Sequence, residues 1–150
     1  MDEFITPAGS ELAVSADLPT TNDDTGFEAL TTWEDLPIAT DFGEGGPTDN
    51  IVTFIPVQGS AVQKAQGSRD FGARTVPMAY VSGDAGVAVL RTAHSARNRI
   101  SWRLTLPTGD IEYGVANCDG VRTITGAADS VLGLTTTLHH TSQIVYVEAA

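Results

Sequence analysis

The sequence predicts a mainly β fold: an antiparallel β-sandwich or barrel with one flanking α-helix and a long protruding hairpin or loop. Three observations carry that prediction. Residues 99–115 alternate apolar and polar around a turn, other segments repeat the period of two, and only one stretch has helical spacing. The chain has 150 residues, enough to bury a core without disulfides or metal, and 41% hydrophobic against 18% charged residues excludes bulk disorder. No internal repeat or long low-complexity block interrupts it, so 1–150 reads as one domain without a linker.

In chain order, Leu12, Val14 and Ala16 mark a first strand, and Pro19–Gly26 (PTTNDDTG) reads as a polar loop. Ile51–Val57 and Ala73–Val81 are apolar on both faces, the pattern of strands packed on two sides. Pro56 and Pro77 cannot donate to a ladder, which places them at edges or bulges. Asp84 suits a helix N-cap, with Val87, Leu90 and Ala93 or His94 following at helical spacing, and Arg91 and Arg97 suit the C-terminal end of the dipole.

A hairpin comes next. Ile100, Trp102, Leu104 and Leu106 alternate with Arg99, Ser101, Arg103 and Thr105, the pattern of a half-buried strand. Pro107-Thr108-Gly109-Asp110 supplies a turn, and Ile111, Tyr113 and Val115 resume the alternation. With Leu106 opposite Ile111, Thr105 faces Glu112 and Arg103 lies diagonal to it, within reach of a weak exposed ion pair. Leu132, Leu134, Thr136 and Leu138 share one face of a further strand, and Ile144–Val147 closes the count.

One region does not fit a compact core. Asp41–Asn50 (DFGEGGPTDN) and Gln58–Phe71 (QGSAVQKAQGSRDF) bracket the IVTFIPV strand with Gly-rich sequence. Residues 41–71 therefore read as an arm whose Val52, Phe54 and Ile55 lack apolar partners in their own chain and invite a partner. It is an assembly element.

Nineteen acids against eight bases give a net charge of −11, and the imbalance is local. Residues 1–49 hold twelve acids and no Lys or Arg; residues 50–150 hold seven acids and eight bases. That disfavours tight, sequence-independent binding of nucleic acid through a basic surface. No apolar run approaches the roughly 18 residues of a membrane helix, no basic-then-apolar leader opens the chain, and a membrane partner is not expected.

Catalytic and ligand signatures fail one by one. Adjacent strand residues point to opposite faces, so His139 and His140 do not share a metal ion. His94 stands alone on the helix. Cys118, the one cysteine, excludes a disulfide framework and fits a reducing cytosol at synthesis; beside Asp119 it has the wrong electrostatics for a nucleophile. Gly43-Glu44-Gly45-Gly46 lacks the Lys-Ser/Thr of a phosphate loop, and the acid pairs Asp23-Asp24 and Glu34-Asp35 lack calcium-loop spacing. No enzyme, metal or cofactor is expected.

The order of parts resembles the tail tube (major tail) proteins of long-tailed bacteriophages. The residues that carry the likeness are the acidic run into Asp41-Phe42-Gly43, the strand Asn50-Ile51-Val52-Thr53-Phe54, and Lys64-Ala65-Gln66-Gly67-Ser68-Arg69-Asp70-Phe71-Gly72. After them come the strand from Ala73, Gly83-Asp84-Ala85-Gly86 opening the helix, and the strands Ile100–Leu106, Ile111–Ala116 and Val131–His139. The likeness covers most of residues 30–147; the acidic segment 1–30 has no assigned counterpart.

The resemblance implies a virion structural protein, made in the bacterial host cytoplasm, that assembles with itself as hexameric rings stacked into a tube. DNA would pass through the lumen during ejection without specific binding. Tape-measure and tail-end proteins would be the other partners. The 41–71 arm would then supply subunit and ring contacts, with Phe42, Gly45, Gly46, Pro47, Val52, Phe54, Ile55, Val62, Lys64 and Arg69 as interface candidates. Glu34, Asp35 and Asp41 are the candidates for acids facing the lumen. The competing reading is a monomeric ligand-binding β-sandwich, a carbohydrate- or receptor-binding module of a virion. It needs an exposed aromatic platform, for which Trp33, Trp102 and three tyrosines are the large candidates.

Overall fold

Alternation commits one face of a strand to the interior, and the residues after Asn98 obey it. The computed structural model describes residues 5–6, 8–36 and 44–149. Among these, the elements run β1 (Glu11–Ser15), α1 (Asp24–Glu28), β2 (Glu34–Asp35), β3 (Thr48–Phe54), β4 (Gln63–Asp70), β5 (Ala73–Ala79) and α2 (Ala85–Ala96). They continue as β6 (Arg99–Thr105), β7 (Ile111–Cys118), β8 (Arg122–Ile124), β9 (Gly133–His140) and β10 (Val145–Val147). Eight strands form one curled antiparallel sheet in the order β2-β1-β6-β7-β9-β5, with β10 beside β7 and β8 beside β9. β3 and β4 form a separate two-stranded sheet. The expected mainly β, antiparallel architecture is thus the one adopted.

The core lies inside the curl. Leu12 and Val14, Ile100, Trp102 and Leu104, Val76 and Met78, and Leu134 and Leu138 point into it from four strands, and Val87, Leu90 and Ala93 of α2 close it. The Asp84 carboxylate caps α2 by accepting from the N–H groups of Gly86 (2.9 Å) and Val87 (3.2 Å). Helix and sheet meet closely at that end. A Cβ on Gly86 would stand 2.6 Å from the Asp35 carbonyl oxygen, so only glycine lets α2 dock against β2. Pro77 lies on β5, an edge strand, as its missing N–H requires, whereas Pro56 falls past the end of β3.

The structure departs from expectation in five places. The segment read as a polar loop contains a second helix, α1, capped by Asp23, whose carboxylate accepts from the Gly26 N–H at 2.8 Å. Phe27 of α1 stacks on Tyr113 at 5.2 Å and, with Val115 and Trp33, builds a second small core on the outside of the sheet. β6 is in consequence covered on both faces rather than half-buried. The Ser101 hydroxyl donates to the Asp17 carbonyl at 2.7 Å, and the Arg103 guanidinium sits 5.0 Å over the Trp33 ring.

The hairpin register is one residue away from the expected one. Leu106 leaves the strand to close the turn, its N–H donating to the Asp110 carbonyl at 2.9 Å. Thr105 therefore faces Ile111 and Leu104 faces Glu112, which turns Glu112 and Arg103 to opposite faces, and the expected ion pair does not form. Leu132 lies just before β9 and is exposed rather than part of the inward face. Finally, Ile51–Val57 is not packed on two sides, since its residues are exposed on both.

Candidate assembly interface

An apolar strand needs something to cover it, and among the described residues β3 finds only β4. The pairing runs from Thr48 opposite Asp70 to Phe54 opposite Gln63, with a bulge between Asp49 and Ile51. The partner strand QKAQGSRD offers almost no apolar surface. Gly67 is required where the bulge presses in, because a Cβ there would lie 2.8 Å from the Asn50 carbonyl oxygen. Near the base, Arg69 donates to Asp49 at 2.8 and 3.4 Å, and that bond holds the Asp49 carboxyl below its ordinary value. A two-stranded ribbon with no packed face is marginal on its own.

The ribbon leaves its apolar residues uncovered along with its polar ones. Phe54 is 61% and Ile55 70% exposed, and Ile51, Val52, Val57 and Val62 are exposed as well. The expected Val52, Phe54, Ile55 and Val62 thus share one projecting hairpin, with Lys64 and Arg69 on its second strand. Ile51 and Val57 belong to the same surface and were legible as members of the IVTFIPV run. Phe42 and Asp41 lie outside the described residues.

Gly45 and Gly46 do different work from the tip. A Cβ on Gly45 would lie 2.9 Å from an Arg74 guanidinium nitrogen, and one on Gly72 would collide with the Gly46 carbonyl oxygen. Gly72 has φ +88° and takes an N–H to Asp70 Oδ1 bond at 2.9 Å, which turns the chain from β4 into β5. These glycines seat the root of the arm on the sheet, while Pro47 is exposed beside them.

Under that root the core ends in polar groups. The Arg74 guanidinium lies 5.9 Å over the Trp102 ring, and His140 packs against Trp102 at 5.1 Å. Burial pulls the Arg74 guanidinium below its ordinary value, with Glu112 opposing. Burial raises the Glu112 carboxyl, with Arg74 opposing. His140 is pushed down to about 4 by burial, then by Arg74 and His139, so it is neutral at pH 7. His139, on the other face of β9, is exposed, as strand geometry requires of neighbours.

Glu34 and Asp35 form β2 at one edge of the sheet, both exposed. Cys118 is buried, its sulfur 3.2 Å from the Thr136 hydroxyl. Trp102 is fully buried, and Trp33 packs on Tyr113 and under Arg103, so neither tryptophan offers an open aromatic platform. Sequence reasoning missed a second exposed apolar surface, formed by Tyr80, Val81, Ile124, Val131 and Leu132. No local pattern separates these residues from core ones.

No family model matches the sequence, and a search of curated proteins returns no match. Solved structures do match. A chain of the 6-fold symmetrised cryo-EM structure of the anti-feeding prophage baseplate superposes with a TM-score of 0.71 at 8% identity, covering 99% of this chain and 98% of that one. A chain of the SPP1 tail tube gives 0.63 at 12% identity over 97% and 80%. A chain from the tail of the empty GTA particle, refined with C6 symmetry, gives 0.64 at 10% identity over 93% and 96%. Such coverage takes in the N-terminal segment as well as the remainder, and at such identities the likeness is one of fold.

Proposed function

With a fold shared with phage and phage-like tail components as premise, we propose that this chain is a structural tail protein. It self-assembles as hexameric rings that stack into a tail tube, located in the virion after synthesis in the host cytoplasm. DNA passes down the lumen during ejection, and tape-measure and tail-end proteins meet the same tube. The observation that carries this reading is the arm: among the described residues it is a ribbon with no packed face, whose apolar residues are exposed on both sides and would be buried by a neighbouring copy. The contact residues are Phe42, Gly45, Gly46, Pro47, Val52, Phe54, Ile55, Val62, Lys64 and Arg69. Of these, Gly45 and Gly46 act by seating the arm and the others by touching the neighbour.

Charge supports the conduit. Duplex DNA carries a phosphate charge about every 1.7 Å of axis, so cations on a wall would hold it and carboxylates let it slide. Glu34, Asp35 and Asp41 are the acids assigned to the wall, from a segment without a Lys or Arg. Sedimentation velocity over a hundredfold range of concentration tests the self-assembly. Growth to large species with rising concentration is expected. A folded monomer throughout would contradict it, and binding of glycan by that monomer would favour the ligand-binding module instead.

A further inference from the structure

The root of the arm sits on a buried cation. Arg74 is 5% exposed; its guanidinium lies 5.9 Å over the Trp102 ring and meets the backbone of Gly45, where a Cβ would stand 2.9 Å from a guanidinium nitrogen. His140 packs on the same Trp102 ring at 5.1 Å, and its backbone N–H donates to the Gly72 carbonyl at 2.9 Å. Gly72 in turn lies tight against the Gly46 carbonyl oxygen. Neither ring nitrogen of His140 has a hydrogen-bond partner among the described residues. A buried imidazole without an acceptor, sharing an indole with a buried guanidinium, is a poor place for a second positive charge. We propose that a proton on His140 releases the root of the arm from the sheet, so that acid frees the assembly element while the body stays folded. The proposal rests on the arm's role in self-assembly and adds a switch to it.

The root is the part of that pocket that yields first. Gly45 and Gly46 lie half-buried outside any strand, whereas Trp102 stands on β6, paired on both sides by β1 and β7. Lifting the two glycines lets water reach Arg74 and His140 without breaking the sheet. Burial first, then Arg74 of β5 and His139 of β9, hold the imidazole at about 4 against an ordinary 6.5. β6 contributes the uncharged Trp102 ring. Glu112 of β7 and Tyr146 of β10 act on Arg74. Burial raises Glu112, so its protonation favours the closed root and opposes release. Asp70 of β4 holds the turn, accepting from the Gly72 N–H at 2.9 Å. An open root that restores an ordinary imidazole is favoured by His140 about thirtyfold more at pH 5 than at high pH, less what Glu112 takes back.

Amide hydrogen exchange in the wild-type chain tests the release, with the intrinsic pH dependence of exchange divided out. The His140 N–H, bonded to the Gly72 carbonyl, should lose at least about fivefold in protection from pH 7 to pH 5. The N–H groups of Trp102 and Leu104, inside the sheet, should stay at least about a hundredfold better protected, which marks the opening as local. In His140→Gln the same amide should change by less than about twofold. Protection at His140 that ignores pH, or that equals that of Trp102 and Leu104 at pH 5, would overturn the proposal. The wild-type chain delivers either result even if the variant does not fold. Since the measurement needs no assembly, a chain that never assembles contradicts the tube and leaves the release to its own outcome. In assembled protein, His140→Gln should slow the shedding of subunits at pH 5 at least about fivefold; equal shedding would overturn the link between release and assembly.

Discussion

His140 keeps both ring nitrogens without a hydrogen-bond partner among the described residues, as does the Trp102 indole nitrogen beside it. Such groups are costly to bury, and a charge there, next to Arg74, costs more. The folded His140 titrates near 4 against an ordinary 6.5, so between those values the unfolded chain binds the extra proton. Stability therefore falls as pH drops from about 6.5 to about 4 and is untouched by this group above that range. Glu112, raised by burial, has the opposite slope and softens the fall near its lower end. Thermal melts from pH 4 to 8 should show the decline, and His140→Gln should flatten it; an unchanged slope in that variant would assign the decline elsewhere. A steric prediction follows on the same patch. A Cβ on Gly114 would lie 2.6 Å from the Trp102 indole nitrogen, so Gly114→Ala should destabilise by about 1–3 kcal/mol in denaturant titration, the usual range for overpacking.

At the scale of elements, the arm and the sheet are energetically separable. Among the described residues, the ribbon supplies nothing to either core, and its strands pair only with each other. Deleting Gly59–Ser68 should therefore leave the melting temperature within a few degrees while abolishing large assemblies in sedimentation. A comparable loss of folding would mean that the arm belongs to the core. The same separability explains what was legible in the sequence. The hairpin around Pro107–Asp110 announces itself because alternation and turn chemistry coincide, and α2 because Asp84 and the 87-90-93 spacing agree. The register was not legible, since a one-residue difference depends on Leu106 entering the turn, which composition does not specify. Nor was α1, a five-residue helix too short for periodicity, although Asp23 as cap and Phe27 inside it were its signals. The covering of Ser101 and Arg103 was invisible for another reason: it depends on a distant segment folding back over them. As for the arm, its apolar strand was visible, but packing on two sides is a property of neighbours that this chain does not supply.

Across the whole molecule, a near-neutral body follows an acidic first third, and the fold brings two of those acids to the β2 edge. If they line a channel, reversing them should make the wall adhesive. Tubes of Glu34→Lys/Asp35→Lys are expected to retain duplex DNA at low salt and release it as salt rises, with wild-type tubes retaining none. Equal retention by both would place these residues away from the lumen. A hollow tube built from this chain is what the proposed role requires, and the most direct measurement is electron microscopy of the purified protein at high concentration. It should show six-fold rings with a central channel, stacked into tubes in register. Uniform isolated monomers, or solid fibrils without a lumen, would contradict it.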